Sequence, residues 1–277
     1  LTFKDVKYDT WELALNSIAQ LLRNEYLRHL EILDGSAINK YEKQDFEKIA
    51  SGSPNEVDLA FSLGKLSQML DSYYGIAPVI IIDEYDTPIQ NGFMKGYYNQ
   101  IVSFMCNLFS GAYKDNRHLS YGFLTGILRV AKEGIFSGLN NLSVDSVLDV
   151  RYSRYFGFTQ DEVSVMLQYY DGYLFGETEI FNPWSVINYI NEHCSPQAFW
   201  QSTGNNSIIG EIIKGATSEI QENLQLLMQG KTISTYVDIA VIYPEIKRNP
   251  YTIYSFLLMA GYLKIVDRQA LHDGNNI

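Results

Sequence analysis

Apolar residues in the first half of the chain fall into short unbroken runs separated by stretches of helical spacing. Leu1-Thr2-Phe3 reads as part of a strand. Asp9 with Glu12 three places on marks a helix start, after which Leu13, Ile18, Leu21, Leu22, Leu27 and Leu30 keep a mostly helical spacing to about Leu33. Ser53-Pro54-Asn55-Glu56 is a second start, with Ser as N-cap, Pro at the first helical position and Glu at the third; Leu59, Leu63, Leu66 and Leu70 then share one face. Val79 to Ile82 form an apolar run without alternation, bounded by Pro78 and Pro88, which predicts a strand covered on both faces of a parallel sheet. A helix over roughly Tyr97 to Ala112 leads into "LSYGFLTGIL", another strand, and a further strand is expected near Val147 to Tyr155. The order β, α, α, β, α, β predicts an α/β fold on a parallel sheet.

Helical patterns dominate after Gly157. Thr159 and Glu162 in "GFTQDEV" form a capping box that opens a helix to about Tyr169, and Asn182-Pro183 opens another over Pro183 to His193. Thr217 or Ser218 starts a helix ending at Gly230, and Asn249-Pro250 starts a short one ending at Gly261. Tyr262 to Asp267 reads as a strand, so the end of the chain suggests a small winged-helix unit. A boundary near Gly157 divides the chain into residues 1–157 and 158–277.

The 277 residues, 46% of them hydrophobic, can bury one large core or two ordinary ones, and two domains are expected. A formal charge of −11, from 32 acids and 21 bases, argues against a nucleic-acid groove over much of the surface. Cys106 and Cys194 give no disulfide framework and fit a reducing cytoplasm. The histidines at 29, 118, 193 and 272 lack metal-ligand spacing. No apolar run approaches the ~18 residues of a membrane span.

Candidate chemistry centres on "PVIIIDEYDTPIQ", residues Pro78 to Gln90. Asp83 and Glu84 directly follow the apolar strand, and Asp86 comes two places later. The carboxyl edge of an open α/β sheet is where ligands bind, and an apolar strand followed by Asp-Glu is the Walker B pattern of nucleotide hydrolases. In that pattern Asp83 holds Mg²⁺, usually through water, and Glu84 orients the attacking water. A strand that ends in a charged turn has the same spelling. A phosphate loop, G-x-x-x-x-G-K-[ST], is missing. Its nearest match, "LQLLMQGKT", has Gln225 where glycine is needed and follows an amphipathic helix, so Gly230 reads as a helix C-cap with Lys231 placed against the dipole. Gly64-Lys65 lies inside a helix.

Taken together, "IIIDEYDTPI", "LTGILRVAKEGIFSGLNNLSV", "YFGFTQDEV", "YDGYLFG", "FNPWSVINYI" and "LLMAGYLKI" resemble the bacterial AAA-ATPase-like proteins, P-loop ATPases often followed by a PD-(D/E)XK nuclease-like domain. The motifs occur in the family's order, from "LTFKDVKYDTWELAL" to Ile265. The resemblance implies an incomplete P-loop NTPase-type parallel sheet with helices over 1–157, then an α-helical lid and winged-helix domain over 158–277. It places the phosphate loop upstream of Leu1 and the nuclease-like domain downstream of Ile277. The chain departs from the family between Val163 and Asp171, where a longer stretch is usual.

By the same resemblance, "LTGILR" is the sensor strand. Thr125 would touch the γ-phosphate or its water, and Arg129 would answer its charge with a planar guanidinium fork. Pairing of Arg129 with Asp83 or Asp86 is the alternative. Lys132, Ser137 and the turn at residues 138–141 follow the same strand. In the lid, Tyr173 and Trp184 would stack on a base and the helix start at Asn182 would meet an anion. Core packing accounts for both aromatics equally well.

The implied function is that of a fragment of a cytoplasmic Mg²⁺-dependent, ATP-binding or ATP-hydrolysing switch protein, nuclease-associated and inactive alone. The rival is a regulatory module with a vestigial nucleotide site, a protein partner and an apolar patch on its helical half. Nucleic acid would be met through a downstream domain; for the terminal helix and strand, Lys247, Arg248, Lys264 and Arg268 offer only a thin basic cluster.

Overall fold

The computed structural model describes residues 1–52, 54–127, 139, 142–163, 173–175, 178–193, 210, 213, 216–238, 243–249 and 251–267, with the backbone alone for 173–175 and 246–248. The chain forms two compact units, Leu1–Leu142 with Ala240–Glu245, and Ser143–Ile239 with Ile246–Ile277.

The first unit is mixed α/β around a small parallel sheet. Strand β1 (Val79–Ile82) pairs in parallel with β2 (Tyr121–Leu124), in a register running from Val79 opposite Tyr121 to Ile82 opposite Leu124. Along the other edge of β1 the first residues add a parallel bridge between Thr2 and Asp83. Asp83 N donates to Leu1 O at 3.0 Å and Phe3 N to Asp83 O at 2.9 Å. Alternation decides burial within the sheet. Ile82 is fully buried, whereas Val79, Ile81, Tyr121 and Phe123 are each about half exposed or more. The expectation that β1 is covered on both faces is therefore corrected: the described residues cover one. On the covered side Gly122 admits the Tyr113 ring, which an added Cβ would approach to 2.5 Å.

Helix α1 (Trp11–Leu27) starts from Thr10, whose hydroxyl accepts from Leu13 N at 3.3 Å. It ends at Leu27, short of the expected Leu33, and a separate 3₁₀ turn covers Leu30–Leu33. Helix α2 (Lys40–Ala50) was not anticipated, although Asn39 and Glu42 close a complete capping box around its start. The helix expected from Ser53 begins instead at Asn55, with Asp58 reaching back to the cap. It is also split, into α3 (Glu56–Ala60) and α4 (Ser62–Tyr74). Close backbone approach accompanies the break: a Cβ on Gly64 would lie 2.3 Å from Gly111 O, and one on Gly111 would lie 2.7 Å from Ala60 O. The buried Tyr26 hydroxyl donates to Ser62 O at the break, at 2.7 Å. Helix α5 (Thr87–Lys95), also unforeseen, has Pro88 in its first turn, and α6 (Tyr98–Tyr113) matches the helix expected at 97–112. Trp11 of α1 packs on Phe104 of α6, ring centroids 5.9 Å apart.

The second unit contains an antiparallel sheet where helices were expected to dominate. Its order is β3 (Phe158–Thr159), β5 (Thr178–Phe181), β4 (Tyr173–Phe175). Turns and a 3₁₀ segment, Ser153–Tyr155, replace the strand expected near Val147–Tyr155. Thr159 and Glu162 make their predicted pair, at 2.7 Å from Thr159 N and 2.9 Å from Thr159 Oγ1, but at residues 160–163 the pair closes a turn. The helix expected to reach Tyr169 lies outside the described residues.

Helix α7 (Pro183–Asn191) packs Val186 against Val163 and Phe181. Helix α8 (Ser218–Met228) starts at Thr217 as expected. Helix α9 (Tyr243–Arg248) gives its first residues to the first unit, where the fully buried Tyr243 stacks on Phe93 with ring centroids 5.8 Å apart. Helix α10 (Thr252–Met259) buries Ile253, Tyr254 and Leu257 against Ile220 of α8. The strand expected over Tyr262–Asp267 is not formed. Gly261 turns with φ +79°, and Tyr262 N and Leu263 N both donate to Leu257 O, at 2.8 and 3.3 Å, so this backbone terminates α10. Among the described residues no helix is long and apolar enough to cross a membrane.

Candidate functional site

The register of the parallel strands creates the site. Because Ile82 lies opposite Leu124, the next residues, Asp83 and Thr125, face each other where the sheet ends. Thr125 N donates to Ile82 O at 2.9 Å, and Tyr85 N donates to Thr125 O at 3.1 Å. The Thr125 hydroxyl donates to Asp83 Oδ1, and both residues are exposed. An oxygen-rich corner thus opens at the carboxyl edge, where α/β sheets bind ligands.

Glu84 leaves the sheet through a left-handed backbone, φ +52°, a conformation that costs a residue with a Cβ about 1 kcal/mol or more. Its carboxylate accepts from the Thr87 hydroxyl at 3.1 Å, and Thr87 N donates to Glu84 O at 3.2 Å. Asp83 and Glu84, adjacent in sequence, are therefore held by different partners, one across the sheet and one in the first turn of α5.

Sequence reasoning gave Asp86 no role beyond that of a partner for Arg129. It is 3% exposed, and its Oδ2 accepts from Ile127 N at 3.0 Å. Although it sits at the N-cap of α5, its side chain makes no capping bond. A Cβ on Gly126 would stand 2.6 Å from Asp86 Oδ1 and 2.9 Å from the Tyr85 ring. The signal in the sequence was the third acid together with Thr125-Gly126, read separately.

The other predicted residues lie elsewhere. Arg129, with Lys132 and Ser137, falls outside the described residues. Tyr173 is placed in β4 of the second unit by its backbone. Asn182 caps α7 there, accepting from Trp184 N at 2.9 Å and Ser185 N at 3.4 Å, and Trp184 is 56% exposed. Among the described side chains, the structure therefore brings Asp83 and Thr125 together, with Glu84 next in the chain and bonded to Thr87. The Gly230-Lys231-Thr232 match is a helix end as read: Gly230 has φ +73° and Lys231 N donates to Leu226 O at 3.0 Å. Of the basic residues near the terminus, Lys264 pairs with Glu179 at 3.4 Å.

The exposed Asp83 carboxylate and Thr125 hydroxyl are hard oxygen donors of the type Mg²⁺ takes. Among the described residues no group of three or more His, Cys, Asp or Glu side chains could hold a metal ion. Mg²⁺ at Asp83 would take most of its shell from water and phosphate.

Comparison with known proteins finds a family match over the first half of the chain. Residues 1–136 match the AAA-ATPase-like family model, described as predicted AAA-ATPase. An uncharacterized protein in the vnfD 5′ region of Azotobacter chroococcum mcd 1 is 25% identical over 164 residues, which cover 54% of this chain and 31% of that relative. No solved structure matches. The matched stretch, residues 1–136, contains Asp83, Glu84 and Thr125, and over it the chain is similar to the AAA-ATPase-like family of predicted AAA-ATPases.

Proposed function

We propose that this chain is part of a Mg²⁺-dependent, ATP-binding switch protein. In this reading Asp83 holds Mg²⁺, Glu84 orients the attacking water and Thr125 reports on the γ-phosphate. The observation that carries it is the convergence of Asp83 and Thr125 from neighbouring parallel strands at the carboxyl edge of the sheet. The match of residues 1–136 to a predicted ATPase family supports a nucleotide as the ligand. Arg129 answers phosphate charge in this scheme, and a lid within 158–277 brings Tyr173, Asn182 and Trp184 to the nucleotide. The sequence carries no G-x-x-x-x-G-K-[ST] loop, so in this reading the chain alone is inactive, and the protein it serves is cytoplasmic and nuclease-associated.

The test is Mg-ATP binding by calorimetry, on this chain and on a version extended upstream, each with and without Glu84→Gln. Binding confined to the extended version, with the substitution sparing binding and stopping turnover, supports the reading. A regulatory interaction module with a vestigial site is the second reading. An exposed apolar sheet face, Val79, Ile81, Tyr121 and Phe123, favours it, although this face lies in the first unit and not on the helical half where that reading expected one. No binding by either version would put it first.

A further inference from the structure

We infer that Asp86 is a positioning residue, whose buried carboxylate holds the loop after β2 so that the Thr125 hydroxyl stays on Asp83. As an account of turnover this rests on the ATPase reading; as an account of geometry it does not. A carboxylate buried to 3% exposure is costly unless hydrogen-bonded, which makes its bond to Ile127 N a strong constraint on the loop. The loop is tied by three bonds at two residues: Thr125 N to Ile82 O, Thr125 O from Tyr85 N, and Ile127 N to Asp86 Oδ2. The first two bonds belong to the sheet's end and set the height of Thr125. The third lies beyond the sheet and fixes the direction in which the chain leaves it.

Gly126 supplies an independent observation. Its missing side chain is what lets the loop lie against the carboxylate, since a Cβ would come within 2.6 Å of Asp86 Oδ1 and 3.0 Å of Asp86 Cγ. Asp86 has also given up the usual use of an aspartate at a helix start, because its side chain makes no cap on α5. The spacing Asp83-Glu84-x-Asp86 opposite Thr125-Gly126 is thereby explained as one device: the first acid faces ligand and the last one holds the loop that brings the hydroxyl.

Amide hydrogen exchange of the full chain tests the geometry without nucleotide. Asp86→Ala should raise exchange at Gly126 and Ile127 by about 10-fold or more while leaving the amides of β1 unchanged, the effect of losing one charge-assisted bond. Asp86→Asn keeps a carbonyl acceptor and should restore most of the protection. Should Asp86→Ala fail to fold, Gly126→Ala serves, since its Cβ pushes the same loop off an intact carboxylate and should give the same local rise. Unchanged exchange at Ile127, or a rise shared by all amides of the first unit, would overturn the proposal. In the longer, nucleotide-binding protein Asp86→Ala should lower kcat about 10-fold with KM nearly constant, and Asp86→Asn should recover most of it. If the wild type shows no turnover, the ATPase reading fails while the exchange result still decides the role of Asp86.

Discussion

The hydroxyl of Thr125 donates to the carboxylate of Asp83 across a sequence separation of 42 residues, where two parallel strands run out together. The bond ties the candidate metal ligand to the candidate phosphate sensor. Thr125→Val keeps the shape and removes the donor. Because both groups are exposed, stability should fall by only about 0.5–1 kcal/mol in urea denaturation, with Thr125→Ser restoring it. A larger loss would mean that the hydroxyl serves the core.

Glu84 carries a side chain where φ is +52°. Glycine adopts this region freely, so Glu84→Gly relieves about 1 kcal/mol of backbone strain, partly offset by the greater freedom of glycine in the unfolded chain. The denaturation midpoint should hold or rise slightly. A clear drop would show that the Thr87 contact, at 3.1 Å, outweighs the strain.

Gly64 lies within helix α4, where alanine is intrinsically favoured by up to about 1 kcal/mol. Its close approach to Gly111 O, 2.3 Å from an added Cβ, reverses the sign. Gly64→Ala should destabilise the first unit by about 1–3 kcal/mol. Thermal unfolding with an unchanged or raised midpoint would contradict the packing described at the α3–α4 break.

Much of the first unit was legible in the sequence because local pattern and tertiary role agree there. The apolar run at Val79–Ile82, the spacing of α6 and the strand at Tyr121 each read as one element and form it. Misreadings arose where a local signal had competitors. Ser53-Pro54-Asn55-Glu56 offered two caps, and Asn55 with Asp58 took the helix. The split at Phe61 accompanies contacts made far along the chain, such as Gly64 with Gly111, which no periodicity records. The short antiparallel strands of the second unit are two to four residues each, too short for alternation to declare itself. At the site the two acids were visible as a motif. The register that sets Thr125 on Asp83 and the burial of Asp86 are non-local and needed the fold.

Tyr26 and Tyr243 are fully buried, and burial holds both hydroxyls above the ordinary tyrosine value of 10.0, with the charge of Asp45 adding to the effect at Tyr26 and that of Asp86 at Tyr243. The folded state thus favours their neutral forms. Their contribution to stability is fully present below pH 10.0 and is lost as pH rises beyond it, because the unfolded chain ionises first. In a spectrophotometric titration these phenols should ionise only together with unfolding of the first unit, and Tyr243→Phe should flatten the alkaline loss. Early, reversible ionisation of every tyrosine would contradict the burial.

The most direct measurement of the central claim is calorimetric titration of Mg-ATP into the upstream-extended protein, paired with Asp83→Asn and Glu84→Gln. The account predicts that the extended protein binds, that Asp83→Asn weakens binding only when Mg²⁺ is present, and that Glu84→Gln binds normally without turnover. Equal binding by wild type and Asp83→Asn with and without Mg²⁺, or no binding at all, would contradict it.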